Sequence, residues 1–307
     1  MPVNIGLGEP VDGKRAGAAT YAFVIWLSRQ FVSVGERSGP WSPIHKVPAS
    51  LPYFIPIPPP IGIMGTMGAV ITQEATADRK KLIDIGAAGP LAGLVVAIPV
   101  LWVGLRLSHV TPTAGGLQEG NSILYALLKR TVVGQWLPSG GNDVFLHPTA
   151  FAGWAGLFVT MLNLIPIGQL DGGHVATAYF GNGYERISAF LHRGLPFLGA
   201  LVFIAVAFGI RHDLAALPSD RVGWLPFEVA LYPAISWFVW AGLLRLMKRA
   251  SGGQYHPPVD AQPLPRSRRV LFWVVCVTFF LTFMPVPLRP SVGVADISGK
   301  AAPAAAP

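Results

Sequence analysis

The segment NLIPIGQLDGGH, residues 163–174, decides the predicted fold of this chain. It closes an apolar run from Thr149 to Ile167 that is long enough to cross a lipid bilayer. Pro166 and the pair Gly172–Gly173 interrupt the helical pattern at the end of this run. A carboxylate such as Asp171 in this position is costly and usually faces a cavity, a metal ion or a partner. The segment therefore predicts a polar functional centre within a membrane.

The composition points to a membrane protein as a whole. Of the 307 residues, 52% are hydrophobic and 12% are charged, whereas soluble domains carry about 25% charged residues. We predict an all-α polytopic membrane protein with about five or six transmembrane helices and a small membrane-associated β element. The predicted spans are 82–107, 149–167, 195–210, 226–247 and 270–287, with a weaker, interrupted helix near 20–38.

The charge pattern predicts the lipid bilayer, and no nucleic acid, as a partner. The formal net charge is +8, but the basic residues flank apolar segments, as expected for a protein that obeys the positive-inside rule. By the same rule the basic loop 248–269 is predicted to be cytoplasmic. The single cysteine, Cys276, excludes a disulfide framework or a cysteine-metal cluster within the chain.

Three regions make up the predicted domain organisation. Residues 1–18 form a polar tail, residues 19–290 a membrane domain with its core at about 20–182, and residues 291–307 a disordered Ala/Pro-rich tail. Within the domain, residues 51–71 are apolar but contain five prolines, which exclude a helix. Because irregular apolar backbone survives in a bilayer only when protein covers it, we predict a re-entrant β-like element there, packed against the helices.

Three segments, in this order along the chain, resemble the site-2 protease family of intramembrane zinc metalloproteases. LPYFIPIPPP, residues 51–60, resembles the membrane-embedded β element of that family, and DIGAAGPLAG, residues 84–93, resembles the span that follows it. NLIPIGQLDGG, residues 163–173, resembles the second signature motif. The resemblance covers roughly residues 45–182.

The resemblance implies a function and a set of site residues. Family members cut transmembrane segments of membrane-bound regulatory proteins, so the implied partners are transmembrane clients, the implied cofactor is zinc, and we expect a multi-pass protein of a bacterial cytoplasmic membrane. Asp171 is implied as a zinc ligand, and the neighbouring His174 is a further candidate ligand or a helix-start residue. Asn163 is implied as a catalytic residue that orients substrate. The implied substrate-binding residues are Pro56, Pro58, Gly62, Asn163 and Pro166.

The family's His-Glu-x-x-His motif, which supplies two zinc ligands and the general base, is absent from the sequence. Its expected place, residues 34–39, reads VGERSG, so Glu36 is the candidate for the base and glycines stand at both histidine positions. His45 is a candidate for a loop histidine that reaches the site. Either the chain is a non-proteolytic relative, or residues 14–44 are read from a shifted frame.

Two other functions follow if the chain does not cleave peptides. A proteolytically inactive protein would capture transmembrane clients, and a small transporter would use Asp171 as an ion site, although no internal repeat supports a transporter. The five remaining histidines are expected to be unremarkable interfacial residues: His109, His147, His192, His212 and His256.

Overall fold

A computed structural model describes residues 78–112, 116–213 and 223–291, together with the backbone of two short strands, 53–56 and 66–69. Within these ranges the chain forms seven α-helices and six short strands. The helices are α1 Arg79–Arg106, α2 Ile123–Val133, α3 Pro148–Asn163, α4 Asp171–Phe180, α5 Tyr184–Asp213, α6 Leu225–Ala250 and α7 Arg266–Thr282. The strands are β1 Tyr53–Pro56, β2 Thr66–Ala69, β3 His109–Pro112, β4 Gly116–Glu119, β5 Asn142–Phe145 and β6 Leu288–Ser291.

Helix α1 packs against α3 and α4 in the core, and local sequence sets where it begins. The Asp78 carboxylate accepts hydrogen bonds from the backbone N–H of Lys80 (2.8 Å) and Lys81 (3.4 Å), which satisfies donors at the start of the helix. Near its other end α1 crosses α3 closely: a Cβ on Gly153 would lie 2.6 Å from the backbone nitrogen of Leu101. Only glycine permits that approach, so Gly153 fixes the α1–α3 contact.

The helices pack in two groups around three apolar clusters. Helix α1 contacts α3 and α4, helices α5 and α6 form an antiparallel pair, and α7 contacts α1, α3 and α4. The side chains of Trp154 and Trp237 are almost fully buried, and their indole N–H groups donate to the carbonyls of Gly120 and Pro285. The outer faces stay apolar, since Phe197 of α5 is 76% exposed. Such faces suit a lipid environment.

Three helical segments are long and apolar enough to cross a membrane: Arg79–Arg106, Asp171–His212 and Leu225–Ala250. They contain the predicted spans 195–210 and 226–247, and the span 82–107 except for its last residue. The predicted spans 149–167 and 270–287 are also helical in part, but α3 has 16 residues and α7 has 17. The number of five or six transmembrane helices is therefore not confirmed.

The strands confirm one prediction and correct another. β1 and β2 pair antiparallel, with Tyr53 opposite Ala69, inside the predicted β element. Two further antiparallel pairs, β3–β5 and β4–β6, occur where no strand was predicted. They were missed because each strand is four residues long and its partner lies far away in the chain, so local sequence carries little signal. The fold is thus mainly helical, with three small sheets in the described part.

Buried charges hold these two additional sheets to α2. The Lys129 side chain is fully buried, and its ammonium lies 3.6 Å from carboxylate oxygens of both Glu119 and Asp143. Gln118 bridges the group, since its amide donates to Asp143 (2.5 Å) and its carbonyl accepts from the Arg289 guanidinium (2.8 Å). Strands β4, β5 and β6 are therefore joined to α2 through one polar cluster.

Candidate functional site

The predicted helix break lies between α3 and α4. Helix α3 ends at Asn163 and α4 begins at Asp171. Between them Gly168 adopts a φ of +65°, which favours glycine, and its N–H donates to the Ser188 hydroxyl (3.1 Å). The residue before α4, Leu170, makes no side-chain capping bond. Asp171 therefore stands in the first turn of α4, where a carboxylate is favoured by the free N–H groups of the helix start.

Asp171 faces α1 at a considerable depth. A Cβ on Gly86 would lie 2.8 Å from the Asp171 carbonyl oxygen and 3.0 Å from the His174 Cβ, while one on Gly89 would lie 3.4 Å from Asp171 Oδ2. These glycines stand about 10–15 Å along α1 from Arg79, at a rise of 1.5 Å per residue. Because α1 is a candidate membrane span, the start of α4 lies well inside that span rather than at its end.

The glycine pair after Asp171 lets the chain fold back on itself. A Cβ on Gly172 would overlap the Leu164 carbonyl oxygen, and a Cβ on Gly173 would overlap the Gly168 carbonyl oxygen. Both contacts are with backbone, which cannot move aside as a flexible side chain can. The pair therefore allows α4 to start directly against the end of α3, which brings Asp171 close to Asn163 in the fold.

His174 is held by a histidine from a distant loop. It follows Asp171 by three residues on α4, so the two side chains share one face of the helix. Its Nδ1 lies 2.8 Å from Nε2 of His256, and Nδ1 of His256 lies 2.7 Å from the Pro257 carbonyl oxygen. His256 is only 9% exposed, and burial lowers its pKa below the usual value. His174 and His256 thus form a hydrogen-bonded histidine pair, and His174 lies close to Asp171 in the sequence of α4.

Two of the five histidines that were predicted to be interfacial are buried in the fold. His256 belongs to the centre just described. His192 is also buried, and its ring nitrogens lie 2.8 Å from the Tyr255 hydroxyl and 2.8 Å from the Ala241 carbonyl oxygen. The burial of His256 was not predicted, because the α6–α7 loop reads as solvent-exposed in the sequence and nothing local shows that it folds against α4. The basic residues at 248–269 indicated a loop outside the membrane and did not predict that His256 contacts His174.

The other predicted site residues fall into two groups. Asn163 is the last residue of α3 and Pro166 lies in the break, both half-buried near Asp171. Pro56 is the last residue of β1. Glu36, His45, Pro58 and Gly62 lie outside the described residues, so their predicted roles stay predictions.

The donor groups in the described part do not fit a catalytic zinc site. Such a site takes three protein ligands and leaves a fourth position for water. Asp171 and His174 are two candidate donors on one helix face, but the described residues contain no group of three or more His, Cys, Asp or Glu side chains placed to hold a metal ion. The sequence also has no His-Glu-x-x-His anywhere.

The sequence of the chain matches the profile of a known protein family. A sequence profile of Peptidase family M50 matches residues 2–206, which is more than half of the chain. The chain belongs to this family. M50 is the site-2 protease family, so the resemblance carried by residues 51–60, 84–93 and 163–173 is confirmed. The match ends within α5, and α6, α7 and the loop with His256 follow it.

Curated relatives of this M50 chain are plant proteins. The probable zinc metalloprotease EGY1, chloroplastic, of Oryza sativa subsp. japonica is 36% identical over 143 residues, 44% of this chain and 24% of the relative. EGY1 of Arabidopsis thaliana is 34% identical over 164 residues, 50% of this chain and 29% of the relative. The DDT domain-containing protein PTM of Arabidopsis thaliana is 32% identical over 146 residues, 44% of this chain and 8% of the relative.

These relatives share only part of their length with the chain, so their functions are not assigned to it. The M50 chain spans less than a third of the length of each of them. The chloroplast location in the names of the two EGY1 relatives does not support the expected bacterial cytoplasmic membrane. No solved structure matches the chain.

Proposed function

We propose that this M50 chain acts on transmembrane segments of membrane-bound regulatory proteins, as site-2-type proteases do. The observation that carries the proposal is the polar centre at the start of α4, where Asp171 packs against Gly86 and Gly89 well inside a candidate span. A carboxylate at that depth needs an enclosed, polar site. The family match and the names of the EGY1 relatives give the reaction class, hydrolysis of a peptide bond.

Within this proposal each predicted residue has a role. Asp171 and His174 are the metal-side groups, Asn163 orients the substrate backbone, and Glu36 is the candidate base. The β element with Pro56, Pro58 and Gly62 pairs with an unwound segment of the client, because an exposed strand edge binds extended peptide through main-chain hydrogen bonds. Pro166 keeps the backbone open beside Asp171.

A second candidate function is capture of transmembrane clients without cleavage. The absence of His-Glu-x-x-His from the sequence favours it, since the donors described do not complete a zinc site. In this case the β element binds a client, and Asp171 contributes to the polar centre at the start of α4. We then expect weak or absent zinc binding.

One reconstitution experiment separates the two functions. The full chain is purified in detergent, its zinc content is measured by elemental mass spectrometry, and it is reconstituted with a tagged single-span protein as the client. Variants are Asp171→Ala and a chain with residues 51–71 altered by Pro→Ala substitutions. Gln254→Ala serves as the control for purification and reconstitution, because Gln254 is exposed in the α6–α7 loop.

The outcomes differ in kind. Proteolysis predicts a cleaved client and bound zinc, both lost in Asp171→Ala. Capture predicts an intact, co-purifying client that survives Asp171→Ala and is lost when residues 51–71 are altered. A client that is neither cleaved nor retained by the wild-type chain contradicts the proposed function. Sequencing of the DNA that encodes residues 14–44 adds an independent check, because a His-Glu-x-x-His in another frame supports proteolysis.

A further inference from the structure

Hydrogen bonds fasten the loop between α6 and α7 to three segments: the start of α5, the turn that follows α4, and the start of α1. The Tyr255 N–H donates to both carboxylate oxygens of Glu185 (3.2 and 3.1 Å), and the Val259 N–H donates to the Asn182 side chain (3.3 Å). The Gln262 carbonyl accepts from the Arg79 guanidinium (3.0 Å). His256 lies between the first two of these contacts, so its backbone is placed before its side chain meets His174.

Arg79 fixes the same loop to α4 itself. Its guanidinium also donates to the carbonyls of Ala178 (2.7 Å) and Tyr179 (2.8 Å) in the last turn of α4. One planar side chain therefore joins the start of α1, the end of α4 and the loop, with three donors in a fixed geometry. These hydrogen bonds hold the loop with His256 against α4, and they do not involve the contact between His174 and His256.

The Pro257 carbonyl oxygen determines the donor and the acceptor in both hydrogen bonds of the histidine pair. A carbonyl oxygen only accepts, so Nδ1 of His256 carries a proton that it donates to Pro257. In the neutral ring Nε2 of His256 is then the acceptor, and the 2.8 Å contact requires that Nδ1 of His174 donates to it. His174 is left with an unprotonated Nε2, and none of the residues that the structure describes hydrogen-bonds to that atom.

We propose that His256 is a positioning residue that locks His174 in the Nδ1-protonated tautomer, so that Nε2 of His174 presents a free electron pair beside Asp171. Histidines that serve as electron-pair donors in sites are oriented in this way by an acceptor on the other ring nitrogen. The centre therefore includes a loop that lies beyond the M50 match, which ends at residue 206. The inference concerns the chain's own hydrogen bonds and does not depend on cleavage or on metal.

Histidine-selective NMR tests the proposal on the full chain in detergent, at neutral pH and without metal or client. The chain has seven histidines, and the ring carbon and nitrogen shifts of a labelled histidine distinguish its two tautomers. The His174 signals are assigned by their loss in His174→Gln. His256→Gln keeps an acceptor for His174 and a donor for Pro257, while His256→Leu keeps neither. His192→Gln is the matched control, because His192 is a buried histidine that also contacts a backbone carbonyl.

The expected result is a single Nδ1-protonated form of His174 in the wild type, in His256→Gln and in His192→Gln. In His256→Leu that single form should be lost in favour of a mixture or of the Nε2-protonated form. An Nε2-protonated His174 in the wild type overturns the proposal, as does an unchanged His174 in His256→Leu. Because the wild-type spectrum, assigned with His174→Gln, is enough to refute the proposal, the test stands even if a His256 variant does not fold. Either result leaves the proposed function to its own experiment.

Discussion

At the scale of single residues, Gly172 decides whether α4 can start where it does. An added methyl group would overlap the Leu164 carbonyl oxygen, and the neighbouring backbone of the α3–α4 break would have to move. We expect Gly172→Ala to lower the unfolding free energy by about 1–3 kcal/mol, the usual cost of overpacking. The measurement is the thermal unfolding midpoint of the purified chain in detergent, which should fall by several degrees.

Gly194 supplies the control for Gly172. It lies within α5, and a Cβ there would meet no atom within 4 Å. Gly194→Ala should leave the midpoint unchanged or raise it, since alanine is favoured over glycine in a helix interior by about 1 kcal/mol. Equal midpoints for Gly172→Ala and wild type would show that the α3–α4 break relaxes without cost. The close contact between Gly172 and Leu164 would then not require glycine.

At the scale of elements, the polar cluster around Lys129 holds α2 to strands β4 and β5. Substitution of Lys129 by methionine would leave Glu119 and Asp143 facing each other without the buried cation. Loss of one partner from a buried ion pair typically costs about 3–5 kcal/mol. We therefore expect Lys129→Met to lower the unfolding midpoint strongly, while Met at the exposed neighbour Arg130 should change it little.

The same cluster predicts a pH dependence with a definite sign. Burial raises the pKa of Glu119 above its usual 4.5 even with Lys129 present, and without the cation the carboxyl should hold its proton more strongly. The folded state then binds more protons than the unfolded state, so stability rises as pH falls from neutral toward about 4.5. The loss in Lys129→Met should shrink as pH falls over this range. A loss that is constant across it would mean that Glu119 is not the group left unpaired.

The sequence predicted some elements well and others not at all. The break at residues 163–173 and the apolar spans were predictable, because proline, glycine and long apolar runs act locally. Strands β3 to β6 were not, since each is short and pairs with a distant segment. His256 was missed for the same reason: its partner His174 is 82 residues away, and a tertiary contact between two single histidines leaves no pattern in the chain.

At the scale of the whole molecule, charged contacts divide the helix ends between two faces. One face joins the start of α1, the start of α5, the end of α6 and the start of α7: Arg268 pairs with Asp84 (3.0 Å), and Lys248 lies 3.8 Å from Glu185. The opposite face carries the strand pairs β3–β5 and β4–β6. Basic residues concentrate on the first face, namely Arg79, Lys80, Lys81, Arg186, Lys248, Arg249, Arg266, Arg268 and Arg269.

This asymmetry predicts how the chain lies in a membrane. By the positive-inside rule the basic face should be cytoplasmic in a bacterial expression host. In a chain with Cys276→Ala, we expect Gln254→Cys on the basic face to react with a membrane-impermeant maleimide in inverted vesicles and to be protected in spheroplasts. Ser139→Cys, exposed beside the strand pairs, should show the reverse. Labelling of both cysteines from the same side would refute the two-faced arrangement. An exchange of sides would keep that arrangement and reverse only the orientation of the chain in the membrane.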